Sequence, residues 1–372
     1  MTALAAVGLF DGAVGVLWPS VRHAFGQPLA ALGVVLLAYT GGYFCTSLAG
    51  GWLLERVGTG RALLGVAVAA IVGATTFALA PVWPVVLVGG VLLGGSGGAA
   101  DLTLNHELAQ HHGVRALGFL HAAWGLGAAI GPVLVTSIVA GGRTWRIALV
   151  PIVALQVALL LAYVVVRRDW HAVPRRVDQP EDATPFNAVA LGLAVALFAV
   201  YVGVEAGTGA WGFTLLTESR GVGERAAGVW MASYWLALTA GRLLLGFVGD
   251  RWPPDALLRA SVLLSIAAAV WLWADPLGAG SLAFAPLGFG LAPVFPVLIA
   301  VTPERLGAHR AARAIGLQIA ASSVGGVTIP ATMGVVAQAV GRWALAPMIL
   351  VSAVALAALH DAAVRLQRRT PA

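Results

Sequence analysis

Three acidic residues lie where acids are costly. Asp11, Asp101 and Glu205 each fall well inside a long apolar run, whereas Glu55, Glu107 and Asp250 fall near the ends of such runs. A charge in the hydrocarbon of a bilayer costs about 2.5–3.5 kcal/mol even on a lenient insertion scale, so an acid at that depth is a functional candidate by default. Asp101 and Asn105 are one helical turn apart and face the same way. His121 lies about six residues into the following run, at a similar depth of roughly 9 Å from the cytoplasmic helix ends at 1.5 Å per residue, so Asp101 and His121 are expected to meet. Such a pair can hold or release a proton as water gains and loses access, because burial and a partner act on a carboxylate in opposite directions. It can equally be a static hydrogen-bonded pair that fixes two helices.

Glu205 shares a stripe with Tyr201 and Thr208 at i, i+4 and i+7, a polar line in an apolar segment that is expected to face the protein interior. It suits either a proton site or the binding of solute hydroxyls. Asp11 occupies a comparable stripe with Gly15 and Trp18. Two further faces are amphipathic at helical spacing: His121, Trp124, Gly125 and Ala128, and Gln318, Ser322 and Gly325. Aromatic rings stack on the C–H faces of sugars while amides and carboxylates take the hydroxyls. Trp124 and Trp211 are singled out from 13 tryptophans, most of which are expected to be interfacial anchors or packing.

The elements that must position these residues follow from composition. Of 372 residues 59% are apolar and 10% charged, with a mean hydropathy of +0.89, which excludes an ordinary soluble protein. Apolar runs of about 20 residues cross a ~30 Å hydrocarbon layer. Twelve are expected, near 2–20, 30–54, 61–80, 84–107, 115–139, 146–166, 187–215, 226–249, 256–274, 279–300, 311–338 and 344–364. The polar stretch over 167–186 reads as a linker between an N-terminal bundle, 1–166, and a C-terminal bundle, 187–372. All 22 basic residues are arginine. With the N-terminus in the cytoplasm, fifteen fall in inner loops and the C-terminus, six fall in outer loops, and Arg242 lies in the eighth run. The positive-inside rule therefore places both termini on the cytoplasmic side. Cys45 is the single cysteine, so no disulfide framework or cysteine metal site is expected. The first run lacks a basic leader and contains Asp11, which argues against a cleaved signal peptide.

A repeat relates the halves. Gly51-Trp-Leu-Leu-Glu55-Arg56 recurs as Gly246-Phe-Val-Gly-Asp250-Arg251 at an offset of 195, Tyr39 maps to Tyr234 at that offset, and Asp11 maps to Glu205 within one residue of it. Two six-span halves in parallel repeat form a known transporter architecture. With the loop signature Gly51, Glu55, Arg56, Gly58 and Arg61 and its echo Gly246, Asp250 and Arg251, the chain resembles the major facilitator superfamily over its whole length. The resemblance implies an all-α membrane protein with twelve transmembrane helices in two pseudo-symmetric six-helix bundles, and a cytoplasmic gating loop whose ion pairs break as a seam opens. Asp101-Leu-Thr-Leu-Asn105, Leu120-His121, Gly127-Ala-Ala-Ile-Gly131-Pro132, Tyr201-Val-Gly-Val-Glu205, Gly288-Phe-Gly-Leu-Ala-Pro293-Val-Phe-Pro296 and Gly325-Gly326-Val-Thr-Ile-Pro330 resemble the fucose-permease-like sugar transporters. The Asp-to-Asn stretch departs from that branch in having no glycine.

The function expected is secondary active transport of a small polar solute, sugar or sugar-like, coupled to protons and driven by alternating access in the cytoplasmic (inner) membrane. The expected candidates for proton coupling are Asp101, His121, Glu205 and Asp11. Those for solute binding are Asn105, Trp124, Tyr201, Glu205, Trp211, Gln318 and Ser322. An efflux antiporter of the same fold is the alternative, since Gly127-x-x-x-Gly131-Pro132 partly matches an antiporter signature; a channel or non-transporting sensor is another. The paired glycines over 89–98 precede no Lys-Ser/Thr and follow no strand, so they read as close helix approach rather than phosphate binding. No cofactor, metal or enzymatic centre is expected, since His106, His111 and His112 lack acidic ligands at metal spacing. The partners are the solute, protons and the lipid bilayer, with no nucleic acid, and the chain is expected to act as a monomer.

Overall fold

The structure is a computed structural model that describes residues 2–111, 113–166, 187–248 and 251–369. The described residues are helical apart from short connections, as lipid demands: a helix satisfies its backbone polar groups internally. The α-helices are α1 Thr2–Ala24, α2 Leu32–Leu79, α3 Trp83–His111, α4 Gly113–Val139, α5 Val150–Val166, α6 Ala188–Thr214, α7 Glu224–Val248, α8 Pro254–Ala274, α9 Phe284–Leu291, α10 Val294–Leu306, α11 Ala308–Val340 and α12 Leu345–Arg369. Among the described residues eleven segments are long and apolar enough to cross a membrane. The expected eighth span falls on α7, Glu224–Val248, whose 25 residues have the length of a span. The expected linker, 167–186, lies outside the described residues.

The expected second and third spans both lie in α2, which is two helices meeting at a kink at Gly58, whose φ of 77° and ψ of 162° no other residue type adopts readily. The tenth span is divided into α9 and α10, which meet at Ala292 and Pro293. Proline removes a backbone donor and clashes with the preceding turn, which accounts for the break.

The chain forms two compact units, one of residues 1–175 with 223–232, the other of 176–222 with 233–372. In the first, α1 packs on α4 and α2 on α3, and glycines set both seams. A Cβ on Gly12 would strike the Ala128 backbone, and one on Gly127 the Ala5 backbone; across the other seam Gly94 meets the Tyr39 backbone and Gly98 that of Tyr43. Small residues let membrane helices approach this closely. The second unit is built on α6 against α11 and α12, where Gly325 lies against the Ala199 backbone. The Asn187 side chain accepts a hydrogen bond from the Ala190 amide at 3.0 Å and so caps the start of α6.

Candidate functional site

The close seams of the first unit bring four helices to one polar cluster. Trp124, on α4, donates its indole N–H to Asp11 Oδ2 on α1 at 2.9 Å. Tyr39, on α2, hydrogen-bonds the same carboxylate. One turn further along α2, the Tyr43 hydroxyl donates to Asp101 Oδ2 on α3 at 2.6 Å, and Asn105 donates to Asp101 Oδ1 at 2.7 Å. Tyr39 and Tyr43 thus present two hydroxyls from one helix face to two acids on different helices. Among the described residues, neutral groups supply every hydrogen bond that these two carboxylates receive. All six side chains are partly exposed. Phe10 stacks on Tyr39 with ring centroids 5.8 Å apart and holds that ring in place.

His121, expected beside Asp101, is exposed on α4, and the groups on Asp101 are Tyr43 and Asn105 instead. Trp124, expected to face a solute, is tied to Asp11. Tyr39 and Tyr43 were not among the expected site residues, although Tyr39 stood in the repeat. Their four-residue spacing in an apolar run was the available signal.

The second unit treats its acid differently. Tyr201 donates its hydroxyl to Glu205 Oε2, four residues along the same helix. Arg242 Nη2, on α7, lies 2.9 Å from the same oxygen and 3.0 Å from the Tyr201 hydroxyl. Tyr234 donates to the Glu205 backbone carbonyl at 3.0 Å and so binds α7 to α6 independently of the charges. Tyr201 and Tyr234 are fully buried, while the Arg242 and Glu205 side chains keep 19% and 11% of their surface exposed. Arg242 was legible as a charge in the eighth span but not as a partner of Glu205; it lies two turns beyond Tyr234 on one face of α7.

The other expected binding residues are engaged within the second unit. Trp211 is fully buried and donates to the Pro330 carbonyl at 2.8 Å. Gln318 accepts from Thr302 at 3.1 Å, and Ser322 donates to the Ile319 carbonyl at 2.7 Å. Of the gating-loop residues, Arg56 and Arg61 are exposed on α2, with Gly58 at the interruption between them. Thr59 is buried beside Gly58 and donates to Glu107 at 2.9 Å. Gly246 and Arg251 are exposed. Gly51 and Glu55 lie among positions whose side chains are not described, and Asp250 lies outside the described residues. Among the described residues no group of three or more histidine, cysteine, aspartate or glutamate side chains could hold a metal.

A family model of the Major Facilitator Superfamily matches residues 1–216 and 193–372. Bypass of stop codon protein 6 of Saccharomyces cerevisiae is 25% identical over 377 residues, which span 90% of this chain and 75% of that protein. Among solved structures, a mutant of the nucleoside transporter NupG aligns with a TM-score of 0.76 at 13% identity, covering 96% of this chain and 98% of that one. An inward-facing, occupied bacterial homologue of the human lysosomal transporter Spinster aligns with a TM-score of 0.73 at 13% identity, covering 98% and 95%. The peptide-family transporter PepTSo aligns with a TM-score of 0.72 at 12% identity, covering 98% and 97%.

Proposed function

The chain belongs to the major facilitator superfamily, and from that premise we propose that it is a secondary transporter that moves a small polar solute together with protons by alternating access. The observation that carries the proton coupling is the cluster of the first unit, where two acids on different helices are served by Tyr39, Tyr43, Asn105 and Trp124 and by no cation among the described residues. An ionised acid so placed bears an uncompensated charge that a bound proton removes, and the partial exposure of the cluster lets that proton come from water. Asp11 and Asp101 hold the coupling proton in this reading; His121 lies on the exposed face of α4 as a further relay.

The solute is hydroxylated and sugar-like, a reading that rests on the resemblance to the fucose-permease-like branch. The transporters named above share the fold at identities too low to select nucleosides or peptides. Gly127 and Gly131 are both required by the close approach of α4 to α1, so the partial antiporter signature has a packing explanation and does not favour export. The arginine bias supports an inner-membrane protein with cytoplasmic termini and bundles 1–166 and 187–372 as the moving bodies. The chain acts as a monomer.

Counterflow in proteoliposomes tests the reading. Exchange of labelled solute against a preloaded excess is expected, with entry of protons reported by an internal pH dye. Asp101→Asn is expected to keep counterflow and lose proton entry. Solute-driven proton entry that survives both Asp101→Asn and Asp11→Asn removes the coupling role from this cluster.

A further inference from the structure

Arg242 and Glu205 make a pair of opposite charges inside a membrane span, and the geometry of that pair is loose in one specific respect. The Tyr201 hydroxyl and Arg242 Nη2 both converge on Glu205 Oε2, while among the described residues Oε1 receives no hydrogen bond. The strong arrangement of a guanidinium with a carboxylate is a two-point fork, with two parallel bonds to two oxygens. The internal acid does not make it. A brace between α6 and α7 needs no charges either, since apolar side chains of similar volume do as well as a buried ion pair or better. The brace also exists already, because the Tyr234 hydroxyl ties α7 to the Glu205 carbonyl. The Arg242 side chain keeps 19% of its surface exposed, which leaves a second anion a way to reach it.

We propose that Arg242 is the recognition group for the carboxylate of a small anionic solute, which replaces Glu205 on the guanidinium. The inference rests on the transporter reading and narrows its solute class to hydroxylated acids. The incoming carboxylate takes the two-point fork that Glu205 leaves unused, and the displaced Glu205 keeps the Tyr201 hydroxyl as a donor. Left beside a second negative charge, Glu205 is relieved by taking one proton from the water that admits the solute, so anion and proton binding are linked here. The titratable and charged groups facing Glu205 are Tyr201 on its own helix and Tyr234 and Arg242 on α7.

The test compares molecules of one skeleton with and without the acid group: gluconate and glucuronate against sorbitol and glucose. Binding to the purified full-length protein is read from the shift in melting temperature with ligand concentration, and transport from counterflow. Gluconate or glucuronate is expected to raise the melting temperature of the wild type at concentrations where sorbitol and glucose do not. Glu205→Gln removes the internal competitor and is expected to tighten binding of that acid roughly tenfold, the effect of losing one charge-assisted hydrogen bond. Arg242→Lys keeps the charge and the fold but cannot make the fork, and is expected to weaken the acid by roughly tenfold or more. Acid binding that is unchanged in Arg242→Lys, or weakened in Glu205→Gln, overturns the proposal. Counterflow of sorbitol or glucose without binding of either acid overturns it too and leaves the transporter reading standing. No counterflow of any of the four, charged or neutral, sinks both.

Discussion

Asp11 and Glu205 occupy corresponding places in the two sequence repeats, yet the two units give their acids opposite kinds of partner. In the first unit Asp11 is held by an indole and a phenol, and Asp101 by a phenol and an amide. In the second, Glu205 is held by a phenol and a guanidinium. Tyr39 and Tyr234 correspond as well, but Tyr39 serves the carboxylate while Tyr234 serves the backbone of the acid-bearing helix. One repeat position has thus become two devices. Neutral donors leave the charge of an acid to be cancelled by a proton, and a fixed cation cancels it permanently unless another anion intervenes. The difference separates a group that trades protons from one that trades anions.

The widest separation is expected in stability. Arg242→Gln leaves Glu205 charged and buried, and removing one partner of such a pair costs about 3–5 kcal/mol; since both side chains retain some exposure, the lower end is expected. Asp101→Asn removes a charge that has no cation among its described partners, and is expected to cost under about 1 kcal/mol, because an amide can still accept from Tyr43. Denaturant or thermal melts in one detergent read both values. The order Arg242 above Asp101 carries the comparison, and the reverse order breaks it. The double variant Glu205→Gln with Arg242→Gln sharpens the point: it is expected to recover most of the single-variant loss, since two neutral amides leave no orphaned charge.

The next effect is one of packing and asks what holds the neutral cluster together. Gly98→Ala places a Cβ against the Tyr43 backbone and the Thr46 and Ser47 hydroxyls. Overpacking of this kind costs about 1–3 kcal/mol, and here it is expected to pull Tyr43 away from Asp101 and impair proton movement as well. Gly65→Ala, at a glycine with open space around its Cβ position, is expected to leave melting and transport unchanged. If Gly98→Ala matches it, the α2–α3 seam does not position the cluster.

The sequence made the acids legible because a charge in an apolar run is costly and stands out against its neighbours. It also made Asn105 legible as a companion of Asp101, since four residues along a helix is a spatial relation that spacing alone fixes. Pairings between helices were not legible. Asp101 was expected to meet His121 by equal depth, but depth says nothing about rotation, and the seam at Gly94 and Gly98 turns Tyr43 rather than His121 towards the acid. Tyrosine carries little penalty in an apolar run, so Tyr39 and Tyr43 did not announce themselves as ligands of the acids. The membrane fold was legible from run length, including the two spans that meet at Gly58, except where a proline splits the tenth span into two helices.

A smaller effect tests whether neutral donors tune the first cluster. Tyr43→Phe removes one hydroxyl from Asp101 and leaves the ring, Asn105 and the Asp11 partners in place. A hydrogen bond to a charged group contributes about 1.5–3 kcal/mol when its partner is ionised. Its loss is expected to slow solute-driven proton movement, read with the internal pH dye, roughly tenfold. Tyr201→Phe is expected to slow it less, because Arg242 remains on Glu205. Equal losses in the two variants erase the distinction between the clusters.

The smallest effect concerns a polar group that fits neither device. His360, on α12, is 3% exposed, and among the described residues neither ring nitrogen has a hydrogen-bond partner. It sits near two ion pairs, Arg305 with Asp255 at 2.5 Å and Arg259 with Asp361 at 3.1 Å. Those charges satisfy one another and leave the imidazole out. An unpaired buried polar group costs about 1–3 kcal/mol, so an apolar side chain of similar size removes the cost at little loss of packing. His360→Leu is expected to stabilise the protein by up to about 1 kcal/mol, read as a higher melting temperature, with counterflow unchanged. A loss of stability instead means that the ring supports the neighbouring ion pairs, and the contrast between partnered and unpartnered polar groups then has to include a third kind, one that works through the charges beside it.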